Sequence, residues 1–276
     1  FPLHLWLPDV YGSAVSSSAA LIAPIGTKVA AYVLIRMLFY VMDPDWVRFE
    51  LALTTVIGWM GAIGIVWGSC MAIAQADLRR MLAYSSVSQI GYIALGIGLG
   101  NASGFIGAVL HALNHAVMKS CLFLVASNLQ TAGRTPTIDQ LDDSLRRAMP
   151  WTAAAFTIAA LSMIGLPPLA GFFSKWYLLL GSWEQAHWTF VVVIIASSLL
   201  NAVYFFRVIE RLYLPRPLTT ATDRSPASVP RSGLVRERRP SLILPAVTLA
   251  GGLILLGFAN VAIVRRFIEP MLPPGF

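Results

Sequence analysis

Long apolar runs, each of about 20 residues or more, alternate with short polar links along the whole chain. A helix of about 20 residues is what it takes to cross a hydrocarbon core roughly 30 Å thick. The runs predict membrane passages at 13–42, 52–75, 79–99, 104–130, 150–182, 187–213 and 241–264. A shorter stretch at 1–8, aromatic and proline-flanked, predicts the tail of a helix that begins upstream. The expected fold is all-α: a polytopic transmembrane helix bundle of seven full passages plus a partial N-terminal one. It forms a single transmembrane domain over 1–276.

Composition agrees. Of 276 residues, 57% are hydrophobic and 12% charged, and the mean hydropathy is +0.71. A soluble domain carries about twice that share of charge. The apolar runs are too many to be one signal peptide. Phe1, not Met, opens the chain, with no charged lead-in, which suggests a piece of a longer protein. The net charge of +7 does not point to nucleic acid, because no basic helix carries interleaved aromatics. Cys70 and Cys121 fall within apolar runs and read as small buried hydrophobes rather than a disulfide or a metal site. The sequon "NAS" at 101–103 is short enough to arise by chance.

The passage 150–182 is interrupted by "GLPPLAG" at 165–171. Pro167 and Pro168 each lack an N–H, so one broken helix is expected at 165–171. The alternative is two short helices joined by a turn outside the membrane. Its segments, 150–165 and 170–182, are short for full spans. Charge placement separates the two. "DLRR" at 77–80 and the 131–149 link, with Arg134, Arg146 and Arg147, share one side. A single broken crossing puts the 214–240 link there too, with Arg216, Arg224, Arg231, Arg236, Arg238 and Arg239. All basic loops then face the cytoplasm, as the positive-inside rule requires. That link is rich in Pro, Arg, Ser and Thr and reads as a basic, mobile cytoplasmic loop. The pair Gly64 and Gly68 reads as ordinary helix packing.

Seventeen arginines and three lysines make up the basic residues. All three lysines, Lys28, Lys119 and Lys175, lie inside passages, and the loops are left to arginine. Arginine keeps its proton under ordinary conditions, whereas a desolvated lysine exchanges one readily. "HALNHAVMK" at 111–119 spaces His111, His115 and Lys119 by four. Each step of four drifts only about 40° around a helix, so the three lie on one face, spanning about 12 Å. Asn114 sits beside them. Such a ladder suits a proton relay; a metal site fits poorly, since lysine is a weak ligand and no carboxylate is near. Ser85, Ser88 and Gln89 make one end of passage 79–99 polar, either to hold water or to join helices. Arg36, near the end of its passage, reads as snorkelling. No Asp or Glu lies mid-passage, so three cations stand without a buried anion.

Four stretches carry a family likeness: "FPLHLWLPD" at 1–9, "ADLRRMLAYSSVSQIGY" at 76–92, "HALNHAVMKSCLF" at 111–123 and "GLPPLAGFFSKWYL" at 165–178. The chain resembles the antiporter-like subunits shared by respiratory complex I, membrane-bound hydrogenases and Mrp-type cation/proton antiporters. The last stretch, with "LRRAMPW" at 145–151, looks most like the D-type subunits of Mrp antiporters. The resemblance implies about fourteen transmembrane helices in two inverted five-helix repeats. This chain then supplies the second half, from within the seventh helix to the fourteenth. By position Lys28 matches the central lysine of the family's eighth helix. His111, His115 and Lys119 match the ladder of the eleventh, and Lys175 the charge beside the break in the twelfth. The fifth-helix glutamate and its seventh-helix lysine partner would precede Phe1. The start of passage 13–42 departs from the family pattern, and Pro24 is unusual there.

The leading expectation is a proton-conducting part of a multi-subunit cation/proton antiporter, similar to the D-type subunits of the Mrp group. Its partners are other membrane subunits and the bilayer, its ions protons and Na+, its place the bacterial inner membrane. The alternative is the same fold in a redox-driven complex, NADH-quinone oxidoreductase or a membrane-bound hydrogenase. A structural protein of the membrane without transport is a reading of another class. The sequence offers no cofactor motif and no nucleophile–base pair of its own.

Overall fold

The computed structural model describes residues 6–14, 16–42, 47, 52–132, 137–214 and 240–273. The basic stretch Arg216–Arg239, Arg134 and the first five residues lie outside these. The helices in chain order are α1 Trp6–Ser13, α2 Ser16–Arg36, α3 Leu53–Ala74, α4 Leu78–Leu99 and α5 Ala102–Thr131. They continue as α6 Asp143–Ala148, α7 Pro150–Ile164, α8 Ala170–Glu184, α9 Trp188–Tyr213, α10 Pro240–Phe258 and α11 Asn260–Ile263. Among the described residues, six helices are long and apolar enough to cross a membrane, and α7 is a shorter apolar one. With the α7–α8 pair as a seventh passage, the predicted bundle is reproduced.

The N-terminal boundary differs from expectation. The partial helix lies at 6–13, rather than ending at 8, and the first full passage starts at Ser16. Pro8 falls in the first turn of α1, where a missing N–H costs nothing.

α4 occupies the centre. It packs on α3 along one flank and on α5 along the other. The α3–α4 approach is made by small residues. A Cβ on Gly61 would lie 2.7 Å from the Gly91 carbonyl oxygen, and one on Gly68 would lie 2.6 Å from the Ser88 nitrogen. Lipid offers no hydrophobic drive between helices, so this close backbone contact supplies the dispersion energy instead. The contact uses Gly58, Gly61 and Gly68 against α4; Gly64, of the expected pair, lines a neighbouring groove. Cys121 is buried, but Cys70 faces outward from α3, against the expectation of burial. Its place in the run was right and its face could not be read from the run alone. The outer faces of α2, α9 and α10 are apolar and exposed, as at Leu21, Leu199 and Leu255, in the manner of lipid-facing helices.

The broken passage runs antiparallel to α5 along its whole length. From residue 128 of α5 back to residue 101, the contacts advance steadily along α7 and α8. Asn128 meets Thr152 and Cys121 meets the Ala155 carbonyl. Asn114 then meets the Ala170 carbonyl, His111 meets Ser174, and Asn101 meets the Gly181 carbonyl. A hairpin would reverse this order. α7 and α8 have 15 residues each, about 22 Å at 1.5 Å per residue, so neither spans alone. The break lies at 165–169. Gly165, at φ 95°, ends α7 in the left-handed region, and Pro167 and Pro168 follow.

The links gather at one end. Ile138 donates to the Ala76 carbonyl (2.8 Å), bringing the link after α5 against the link before α4. Arg207, near the end of α9, donates to the carbonyls of Ile73 and Gln75 that α3 leaves unpaired. Arg211 reaches Asp139 at 3.4 Å. Arg79 likewise donates to the Tyr11 and Ala14 carbonyls that close α1. The chain therefore leaves α9 at the same end as the 75–77 and 137–142 links, as a single broken crossing demands. At the other end Asn101 caps α5 through Gly104 and binds Glu184, which gives the sequon asparagine a structural task. One prediction extends this to the loop. Single cysteines at Arg146 and Arg231, in a chain with Cys70 and Cys121 replaced, are expected to react with an impermeant thiol reagent from the same side of sealed vesicles. Reaction from opposite sides would refute the single crossing.

Candidate functional site

The α4–α5 packing sets one register. Lys119 lies against Ser85 and His111 against Tyr92, with His115 between Lys119 and His111 on the same helix face. The Lys119 ammonium is fully buried and donates to the Leu82 carbonyl and the Ser85 hydroxyl, both at 2.6 Å. His111 and His115 are also fully buried, with near-parallel rings 5.9 Å apart. The 3.6-residue period that put them on one face in sequence puts them one above the other here.

α8 closes the other end of the line. His111 Nδ1 lies 2.9 Å from the Ser174 hydroxyl, which itself donates to the Gly171 carbonyl. Lys175, next in the chain, donates to the carbonyls of Met163 (2.9 Å) and Ile164 (3.0 Å) and to the Ser198 hydroxyl (3.2 Å). These two carbonyls close α7 and have lost their helical donors to the break. Lys175 also stands over the Tyr92 ring at 5.0 Å, the ring that meets His111 at 5.3 Å. A pocket of ≈ 210 Å³ beside the break, lined by Gly165, Lys175, Trp176 and Ser198, reaches this ammonium.

The missing anion has a physical answer at two lysines. Carbonyl and hydroxyl oxygens host Lys119 and Lys175, so either can lose its proton without stranding a carboxylate partner. Lys28 stands apart. It is half-buried, and its ammonium donates to Ala23 O (3.3 Å) and Thr27 Oγ1 (3.1 Å) on its own helix. Pro24 sits inside α2 one turn before it. No hydrogen bond joins Lys28 to the ladder among the described residues.

Four buried polar groups are unevenly partnered. Both ring nitrogens of His115 and both amide atoms of Gln89 have no protein partner among the described residues, though both side chains are fully buried. Asn114 donates to Ala170 O (2.8 Å) at the start of α8, while its Oδ1 and His111 Nε2 are unpartnered. In hydrocarbon an unpartnered polar group costs several kcal/mol, so this midsection is built to hold something polar. Ser88 is elsewhere. It faces α3, where its hydroxyl lies 2.9 Å from that of Ser69.

A family model described as "NADH:quinone oxidoreductase/Mrp antiporter, TM" matches residues 1–201. The chain belongs to this family. With its long apolar helices, this family member is an integral membrane protein. It is 46% identical over 279 residues to NADH-quinone oxidoreductase subunit N of Desulforudis audaxviator, covering 99% of this chain and 54% of that protein. It is 30% identical over 271 residues to the D subunit of a Na(+)/H(+) antiporter of Alkalihalophilus pseudofirmus, covering 98% of this chain and 51% of that protein. Among solved structures, the Mrp complex from Dietzia sp. DQ12-45-1b shares the fold with a TM-score of 0.81 at 24% identity, over 95% of this chain and 54% of that one. Respiratory complex I from Thermus thermophilus with bound NADH follows at 0.79 and 24%, over 96% and 52%. The chain spans about half the length of these relatives.

Sequence reasoning missed Ser174, Tyr92 and Ser198 as partners of the line. One available signal was the run "SSLLNAVY" at 197–204, where Ser197, Asn201 and Tyr204 recur on one helical face of an otherwise apolar passage.

Proposed function

We propose that this chain forms part of a proton-translocating, antiporter-like membrane subunit of a redox-driven NADH-quinone oxidoreductase, of the subunit N type. The observation that supports the proton path is the buried row of Lys119, His115, His111, Ser174 and Lys175, in which His111 bonds Ser174. Its lysines are hosted by neutral oxygens. A proton leaving the Lys119 ammonium passes to His115 by a water held at the unpartnered ring nitrogens of His115. It moves along the stacked imidazoles to His111, then by Ser174 toward Lys175, whose site at the break adjoins the pocket. Each group accepts one proton and releases one, which arginine could not do. Lys28 contributes a fixed or exchangeable charge at the margin of this line.

The resemblance of motifs ranks the Mrp antiporter first; the identities support the redox-driven reading instead, at 46% against 30%. The quoted motifs surround the path residues, which both branches need, so they discriminate poorly. The basic loops are assigned to the cytoplasmic side of a bacterial inner membrane, and the partners are other membrane subunits of the complex.

The test is purification of the full-length subunit with its native partners. Co-purified NADH-quinone oxidoreductase subunits, and proton uptake by vesicles that needs NADH and quinone, are the expected result. Mrp subunits, with proton flux driven by a Na+ gradient and indifferent to NADH, would overturn the redox assignment.

A further inference from the structure

The pocket beside the break opens sideways, between α8 and α9. Leu199, Ile195 and Trp176 in its lining are exposed, and Leu199 belongs to the apolar outer face of α9, so the mouth lies on the membrane-facing wall. Phe172 and Trp176, with rings stacked 6.1 Å apart, make one flat side. Its polar lining is Lys175, only 5% exposed, and Ser198. From Lys175 to Glu184, the last residue of α8, is nine residues, about 14 Å at 1.5 Å per residue. The ammonium therefore lies near the middle of a hydrocarbon core roughly 30 Å thick. Among the described residues every ion pair uses an arginine, and no carboxylate reaches Lys175. A second groove, of ≈ 310 Å³ along α3 and α4, is lined by apolar residues alone, Met60 among them.

A cation at this depth is costly unless it is paired. Here it lines a pocket whose other walls are apolar and whose mouth meets lipid, and that combination selects a ligand with one anionic end and an apolar body. We propose that the pocket binds a single-chain fatty acid, its carboxylate on Lys175 and its chain running out past Trp176 and Leu199 into the bilayer. Depth decides between sources of negative charge. A phospholipid phosphate stays charged at the headgroup level, about 15 Å away. A fatty acid crosses hydrocarbon protonated and neutral. At the site its O–H bond breaks as an N–H bond forms on the neutral Lys175 amine, so no net charge enters the membrane. The ammonium now donates to Met163 O, Ile164 O and Ser198 Oγ, and the contact to Ser198 is the longest at 3.2 Å. The carboxylate takes that third N–H and accepts the Ser198 O–H on its second oxygen. A charge-assisted pair thus replaces a contact to a neutral oxygen. On the proton-path reading a bound acid also holds back the exit proton, but the binding does not depend on that reading.

The experiment uses the complete complex in phosphatidylcholine vesicles and reads labelling, not flux. Hexadecanoic acid carrying a mid-chain photoreactive diazirine is compared with the hexadecanol carrying the same group, and labelled residues are mapped by peptide mass spectrometry. At Trp176, Ile195 and Leu199 the acid is expected to label about tenfold more than the alcohol, the effect of one charge-assisted hydrogen bond. In the apolar groove, at Met60, the two probes are expected to label alike. Lys175→Met, close in volume, is expected to bring the acid down to the alcohol's level at the pocket and to leave Met60 labelling unchanged, which also shows that the variant has assembled. Leu199→Trp, which fills the mouth, is expected to remove labelling of Trp176 and Ile195 by both probes. Equal labelling by acid and alcohol in the native complex would make the pocket a cleft for lipid tails and overturn the proposal without need of any variant. So would labelling by neither probe, or acid labelling that survives Lys175→Met.

Discussion

Lys119→Ala abolishes proton transport by the assembled complex while the protein stays folded: this is the expected result. Alanine is a good helix former, so α5 loses no backbone preference. The Ser85 hydroxyl that Lys119 leaves still donates to Leu82 O at 3.0 Å, so no new orphan is made. The cavity costs about 2–5 kcal/mol by analogy with other large-to-small core changes. Lys119→Met, close in volume, avoids most of that cost and serves as the folding control. What both remove is the one group in α5 that can pass a charge to the Ser85 end of the line. Loss of a positioned acid–base group costs about 10²-fold or more, so residual flux near 1% is expected. Lys119→Arg is expected to fail equally. Its guanidinium keeps its proton and needs a planar, forked set of acceptors, whereas the site offers one carbonyl and one hydroxyl. Full flux in the arginine variant would make Lys119 a fixed charge and break the relay at this site.

The second large effect is on stability. A Cβ on Gly171 would lie 1.8 Å from the Ser162 carbonyl oxygen. That oxygen belongs to the backbone of α7, so no side-chain rotation relieves it. Gly171→Ala therefore forces α8 away from α7. This breaks the bond from Gly171 N–H to Ser162 Oγ (3.2 Å) and pulls Lys175 off the Met163 and Ile164 carbonyls. Overpacking a core with an added carbon costs about 1–3 kcal/mol, and a backbone obstacle sets the cost at or above the top of that range. A large drop in folded protein and in its melting temperature in detergent is expected. Ser162→Gly does not rescue it, because the obstacle is a main-chain oxygen. Gly251→Ala and Gly252→Ala, where an added Cβ meets nothing within 4 Å, are expected to leave stability unchanged. A Gly171→Ala protein as stable as those two would show that the halves of the passage are not locked together.

Some features follow from local rules that no neighbour can override. A run of about 20 apolar residues must become a spanning helix, because lipid satisfies no backbone group. Adjacent Pro167 and Pro168 lack N–H groups wherever they sit, so the passage had to break there. The spacing of His111, His115 and Lys119 puts them on one face because the helical period does so in any surroundings. Each of these was legible in the chain alone.

The tertiary structure decided which helix that face meets and what waits there. Periodicity names a face but not its partner. Ser85 meets Lys119, whereas Ser88, three residues on, turns to α3. Cys121 is enclosed while Cys70, also within an apolar run, faces outward. The missing anion was invisible in sequence, because the oxygens that host Lys175 are main-chain carbonyls that every residue type has and only a helix break exposes. Ser69 of α3 meets Ser88 of α4 and Ser197 of α9 only where the three helices close together, through contacts between residues far apart in the chain. Such contacts depend on shape complementarity between distant segments, which no local pattern of residue types encodes.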